Sequence, residues 1–126
     1  MEWLAISLGG ALGAVLRHAL ATLVTEQTET EFPLGIFTVN VVGCFIMSVC
    51  YVLLVQRQLL GDPWRDFALV GLLGAFTTFS TFSLQAYDLL ISGRWALALG
   101  YVLGSVLVCL LAVFVGVFLT RMLINH

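Results

Sequence analysis

The run Gly74-Ala75-Phe76-Thr77-Thr78-Phe79-Ser80-Thr81-Phe82-Ser83 places five hydroxyl side chains in the seven positions 77–83 of an otherwise apolar stretch. Polar groups at membrane depth are costly and tend to mark substrate or ion routes. If the run is helical, Phe76, Phe79 and Phe82 recur at i, i+3, i+6 and share a face. Thr77, Ser80 and Ser83 then form a second column, and Thr78 and Thr81 a third. Aromatic ring edges carry partial positive charge. Phe edges beside hydroxyl donors therefore suit a small anion without offering it a full charge. A glycine precedes the run. Backbone that leaves the helix at membrane depth is tolerated where it is buried in protein or lines water, and a broken helix there exposes carbonyls to cations and N–H groups to anions. The same residues also fit a kinked helix whose Ser and Thr bond back to their own backbone.

Three further places carry polar groups inside apolar runs. Asn40 lies in Phe37-Thr38-Val39-Asn40-Val41-Val42-Gly43. Its amide has donors and an acceptor, so it can contact a permeating ion or make an interhelical hydrogen bond. Arg17 follows Gly13-Ala14-Val15-Leu16. There it can concentrate anions at a pore mouth or snorkel to the interface; His18 beside it reads as interfacial. Tyr101, Ser105 and Cys109 stand at i, i+4, i+8, a column that fits a polar track of donors or polar packing against the third span. Cys44, Cys50 and Cys109 all lie in apolar runs without metal-ligand spacing, and read as small buried hydrophobes.

What is missing narrows the function classes. No acidic residue occupies a span centre, because Glu2, Asp66 and Asp88 all sit near ends. A proton-coupled transporter normally needs a membrane carboxylate as its relay. No nucleophile–base pair, metal cluster or phosphate loop appears, so catalysis has no support and the chain reads as a non-enzyme. No basic cluster offers a nucleic-acid footprint.

The elements that must position these residues are membrane spans. The chain has 126 residues, 61% hydrophobic and 10% charged, against about 25% charged in a soluble domain. It carries five Lys plus Arg, all arginines, and seven acidic residues, for a net charge of -2. A span needs about 20 apolar residues, and four stretches qualify, at about 3–24, 34–55, 66–91 and 95–120. The expected fold is an all-α membrane protein, one four-helix transmembrane domain over residues 1–126. The start, Met1-Glu2-Trp3, has no positive n-region, so the first run is expected to stay as a permanent span. Trp3, Trp64 and Trp95 fall at span ends, where indoles favour the headgroup level. Small residues at helical spacing, Ala5, Gly9 and Gly13 in the first span and Ala96, Gly100, Gly104, Ala112 and Gly116 in the fourth, suit close helix packing in lipid, within one chain or between chains. Four spans put both termini on one side, with Arg57, Arg65 and Arg121; the other side has Arg94 and Arg17. Three against two is a weak bias, and orientation follows such bias. Insertion both ways, with pairing of antiparallel copies, is expected from the charges; a fixed orientation follows if Arg17 does not count.

These features together resemble the Fluc/CrcB family of bacterial fluoride channels. The resemblance rests on Gly9-Gly10 through Arg17, Asn40 with Gly43-Cys44-Phe45, Gly74 through Phe82, and the Tyr101–Ser105 column. Thr-Thr-Phe-Ser-Thr-Phe is its most specific part. It implies a dual-topology antiparallel homodimer with two pores, in the bacterial cell (inner) membrane, that exports fluoride passively. It implies that the third helix is broken mid-membrane. Phe79 and Phe82 would be the pore-lining rings, and Asn40, Ser80 and Thr81 their polar contacts. Tyr101 and Ser105 would form the polar track, and Arg17 would be the vestibule arginine. Gly74 and Thr77, at the helix break, would offer backbone carbonyls to a structural Na⁺ at the dimer centre. Cys109 stands where some relatives carry a Ser, a departure from the family pattern at the end of the track. The alternative class is a small dual-topology multidrug exporter, which needs a membrane Glu in its first span; this chain has none there. A non-transporting membrane assembly factor would leave the polar run without a purpose.

Overall fold

The computed structural model describes residues 1–125, and all regular structure among them is helical. Helix α1 spans Glu2–Glu26, α2 Leu34–Cys50, α3 Asp62–Arg65, α4 Gly74–Phe76, α5 Phe79–Ile91 and α6 Trp95–Ile124. Two stretches, Tyr51–Gln56 after α2 and Asp66–Leu73 between α3 and α4, are wound wider, with π-type turns. In such turns an N–H reaches back five residues, as Arg57 N–H does to the Val52 carbonyl at 3.0 Å. Counted with these stretches, four rods run over Glu2–Glu26, Leu34–Gln56, Asp62–Ile91 and Trp95–Ile124, each long and apolar enough to cross a membrane. The shortest has 23 residues, a rise of roughly 30–35 Å against a hydrocarbon core of about 30 Å. The third rod begins at Asp62, ahead of the expected Asp66, because Pro63 fits a first helical turn, where no N–H is needed. The fourth continues past Thr120 to Ile124.

Small residues set the packing. A β-carbon on Gly9 would fall on the Phe67 carbonyl, one on Gly13 on the Leu72 carbonyl, and one on Gly71 within 2.6 Å of the Ile6 carbonyl. Helix α1 therefore lies backbone to backbone against the Asp66–Leu73 stretch. Gly116 of α6 packs likewise on Phe45 and Ser48 of α2. Gly100 and Gly104 differ: nothing lies within 4 Å of a β-carbon on either. The small-residue column of α6 thus divides. Its C-terminal half packs inside the chain, and its N-terminal half faces outward.

The connection from α5 to α6 is a compact reversal. Arg94 N–H donates to the Leu89 carbonyl at 2.9 Å and Gly93 N–H to the Leu90 carbonyl at 3.1 Å, with Gly93 at φ +74°. This is the glycine-ended helix stop in which a left-handed residue lets the chain turn back. An ion pair between Arg94 and Glu31 links this turn to the α1–α2 loop. A buried apolar cluster joins Ile36, Phe82, Ala86, Leu89, Ala98 and Tyr101, drawn from α2, α5 and α6. The outward surface is apolar as well: Leu107, Leu111, Phe114 and Phe118 of α6 are all exposed. A helix apolar on every side belongs in a large core or a bilayer.

Candidate functional site

The third rod loses its helical backbone at Thr77 and Thr78. Thr77 has φ −81°, ψ 154°, and Thr78 has φ −148°, ψ 118°. Of the two residues at which the break was expected, Thr77 has left the helix, while Gly74 keeps helical angles, φ −62° and ψ −37°. The cause of the break is a side chain from another helix. Asn40 of α2 accepts from Thr78 N–H through Oδ1 at 2.8 Å and donates through Nδ2 to the Thr78 carbonyl at 3.0 Å. The amide thus pairs with both main-chain groups of an extended residue, as a neighbouring strand would. Asn40 makes the interhelical bond that was one of its two readings.

The hydroxyls then sort into two sets. Thr78 caps α5: its Oγ1 accepts from Thr81 N–H at 3.2 Å. It also meets Ser80 Oγ at 3.2 Å and donates to Thr81 Oγ1 at 3.1 Å. Thr78, Ser80 and Thr81 are therefore a hydroxyl cluster at a helix N-terminus, where the positive end of the dipole favours anions. Thr77 and Ser83 instead bond back to the Leu73 carbonyl at 3.1 Å and the Phe79 carbonyl at 2.8 Å. The continuous columns expected for an unbroken helix do not form, since residues 77 and 78 interrupt the register. Phe76 is buried before the break, beside Gly43 of α2.

Phe79 and Phe82 lie after the break with ring centroids 5.4 Å apart and planes tilted by 46°. Phe82 is 7% exposed and Phe79 77%. The pair is one anchored ring and one free ring. Phe82 also packs on Tyr101, centroids 5.1 Å apart. Tyr101 is fully buried, and its hydroxyl donates to Gln85 Oε1 at 2.8 Å. Gln85 had no place in the sequence reading; its spacing from Thr78 and Thr81 on the α5 register was the signal that could have found it. Ser105, one turn below Tyr101, is 5% exposed, and its hydroxyl has no partner among the described residues.

Two cavities flank the start of α5. One of about 240 Å³ is lined by Asn40, Cys44, Thr77, Thr78, Phe79, Phe82, Ser105, Val106 and Cys109. The other, about 360 Å³, lies under the α1–α2 loop, and Thr81 and Gln85 line it from α5. The structure thus gathers Asn40, Phe79, Phe82, Ser105 and Thr77 around one space, with Cys44 and Cys109 in its wall. Thr81 faces the other. Ser80 is exposed, and Arg17, half-buried on α1, lines neither cavity. Among the described residues Arg17 has no acidic group within ion-pairing distance; Arg65 and Arg94 do.

The break also frees main-chain oxygens. In a continuous helix the Gly74 carbonyl would accept from Thr78 N–H and the Thr77 carbonyl from Thr81 N–H. Both donors are taken elsewhere, by Asn40 Oδ1 and Thr78 Oγ1. Two neutral carbonyls one turn apart are left without their ladder partners.

A family profile described as "CrcB-like protein, Camphor Resistance (CrcB)" matches residues 4–117. Among relatives, a protein of Saccharophagus degradans named fluoride-specific ion channel FluC is 43% identical over 122 residues, 97% of this chain and 91% of the relative. One of the same name from Magnetococcus marinus is 45% identical, covering 94% of this chain and 96% of the relative. One from Opitutus terrae, also so named, is 48% identical, covering 90% and 88%. The profile match takes in the second and third rods whole, most of the first and fourth, the Asn40-pinned break and both cavities, and the chain belongs to the CrcB family.

Proposed function

We propose that this multi-pass membrane protein is a fluoride-specific ion channel of the bacterial cell membrane, passing F⁻ passively out of the cytoplasm. The observation that carries the reading is the near-full-length identity to relatives bearing that name. The geometry supports it. A dehydrated fluoride needs donors and positive edges rather than a full counter-charge, which would hold it too tightly to leave. The capped start of α5 supplies hydroxyls and helix N–H groups, and Phe79 and Phe82 supply ring edges. The Ser105 hydroxyl, unpartnered among the described residues, continues the donors along α6, and Tyr101, whose proton goes to Gln85 Oε1, backs the Phe82 ring. The exporter alternative lacks its carboxylate, as the acidic residues of α1, Glu2 and Glu26, stand at its two ends.

The working unit in this reading is an antiparallel homodimer, with the break at mid-membrane. The ring of Phe79, exposed within one chain, and the bare N-terminal half of the α6 small-residue column suit contact with a second copy. Gly74 and Thr77 fit a shared structural Na⁺: their carbonyls have lost their ladder donors, and neutral oxygens suit a hard monovalent cation. When bound, such an ion would hold the two breaks together. Arg17, without an ion pair, would draw anions to the mouth.

The deciding experiment is fluoride efflux from liposomes holding the purified chain, read with a fluoride electrode against chloride-loaded controls. Selective, protein-dependent fluoride release is expected. Release no faster than from empty vesicles, or equal release of chloride, rejects the proposal.

A further inference from the structure

The larger chemical surprise in the cavity wall is a pair of thiols. Cys44 lies on α2 and Cys109 on α6, 65 positions apart in the chain. They line the same cavity of about 240 Å³. Both are free and half-buried. One turn above Cys109, the Ser105 hydroxyl lines the same cavity, 5% exposed and without a partner. No Asp, Glu or His lies with them: among the described residues no group of three or more such ligands gathers anywhere. The third cysteine, Cys50, is absent from this wall.

Two sulfurs in one cavity wall without hard ligands make a particular kind of donor set. Thiolates select soft metal ions, and metal binding deprotonates the coordinating thiol. Zinc would demand four ligands in a tetrahedron, which this wall does not offer. A d¹⁰ ion that is content with two sulfurs in line does not need more. For a divalent ion of that kind, two thiolates cancel the charge, and a neutral complex is the one an apolar, membrane-embedded wall tolerates.

We propose that Cys44 and Cys109 form a two-coordinate binding site for a soft divalent d¹⁰ metal ion, with the Ser105 hydroxyl as a weak neighbouring donor, and that filling it obstructs the cavity. Two S–H bonds break, two metal–sulfur bonds form, and two protons leave to water; no electrons change hands. The obstruction clause rests on the reading of this cavity as part of the ion route, and the binding clause does not.

The probe is Hg²⁺, added as its chloride to the full chain carrying Cys50→Ser, purified in detergent. Expected is saturation at one Hg²⁺ per chain, with sulfur-to-mercury charge-transfer absorbance rising in step. Both remaining thiols should be lost together to a maleimide reagent, and a small dithiol should restore them. In that background Cys44→Ser or Cys109→Ser should each weaken binding at least about 100-fold, the usual gain from holding two ligands together. Saturation at two Hg²⁺ per chain, one on each thiol, would overturn the site. So would unchanged affinity in either single variant, both of which keep side-chain size and can be checked for folding by gel filtration. In liposomes, loading the Cys50→Ser chain should abolish fluoride efflux, with recovery on dithiol; paired binding with unaltered efflux overturns the obstruction. If the metal-free chain carries no fluoride at all, the channel reading fails, while the titration still decides the site.

Discussion

The Asn40 side chain decides where the third rod opens. Its amide satisfies both main-chain groups of Thr78, a residue only 7% exposed. Asn40→Ala would leave a buried N–H and C=O unpaired, a cost of about 1–3 kcal/mol for each group. Thermal stability in detergent and fluoride flux should therefore fall together. Flux lost at unchanged melting temperature would mean instead that Asn40 acts only on the ion. The two rings after the break differ in what a substitution can reveal. Phe82 is packed on Tyr101, so Phe82→Ile disturbs the core as well as any ion route. Phe79 is exposed within the chain, so Phe79→Ile should slow fluoride flux without lowering the chain's melting temperature. Full flux from a folded Phe79→Ile protein would remove that ring from the path.

Helix against helix, the contacts that hold the bundle are glycine contacts. In lipid no hydrophobic force drives helices together, so close backbone approach has to supply the attraction. A side chain at Gly13 must displace the Leu72 carbonyl, which belongs to a helix backbone and cannot swing aside. Gly13→Val should destabilise the chain by about 1–3 kcal/mol, in the range of overpacked cores. Gly100→Val meets nothing within the chain and should cost the single chain nothing, acting only where a second copy packs. Gly13→Val melting like the unsubstituted chain would contradict the α1 packing. The wide-turned stretch Asp66–Leu73, which α1 contacts, was not visible in the sequence. Its residues, DFALVGLL, read as an ordinary apolar helix, and nothing local distinguishes a reach-back of five residues from one of four.

At the scale of the molecule the arginines are nearly balanced between the two ends. Arg57, Arg65 and Arg121 stand at one end, where Arg57 binds Asn125 Oδ1 at 2.6 Å and Arg121 binds Gln56 Oε1. Those contacts tie the end of α6 to the Tyr51–Gln56 turn. If the chain inserts both ways, several lysines added to one loop should bias orientation and lower activity when that copy is expressed alone. Co-expression with an oppositely biased copy should restore it; full activity from one biased copy would sink the antiparallel dimer. The shared Na⁺ is tested by replacing Na⁺ on both sides of the membrane with a large organic cation. Fluoride flux should then fall. Because the proposed ligands are main-chain oxygens, Thr77→Ala should matter less than Gly74→Leu, whose side chain would crowd the space between copies. Undiminished flux without Na⁺ would leave the freed carbonyls of Gly74 and Thr77 as a simple helix end.

Composition and hydropathy by themselves determined that this chain is a helical membrane protein with four spans, because a run of about 20 apolar residues has few other stable fates. The run at 77–83 pointed to the candidate site for a similar reason: five hydroxyls in lipid require partners, and their density is local information. Three things were decided only in three dimensions. The break takes in Thr77 and Thr78 and spares Gly74, the other residue expected at it, since it depends on an amide 38 residues away competing for a ladder N–H. The role of Gln85 depends on the Tyr101 hydroxyl from another helix. Cys44 and Cys109, read along the chain as separate small apolar residues, share a wall because α2 and α6 pack around a glycine, Gly116. Each is a contact between helices, and a one-dimensional pattern records the faces of a helix without saying which face meets which.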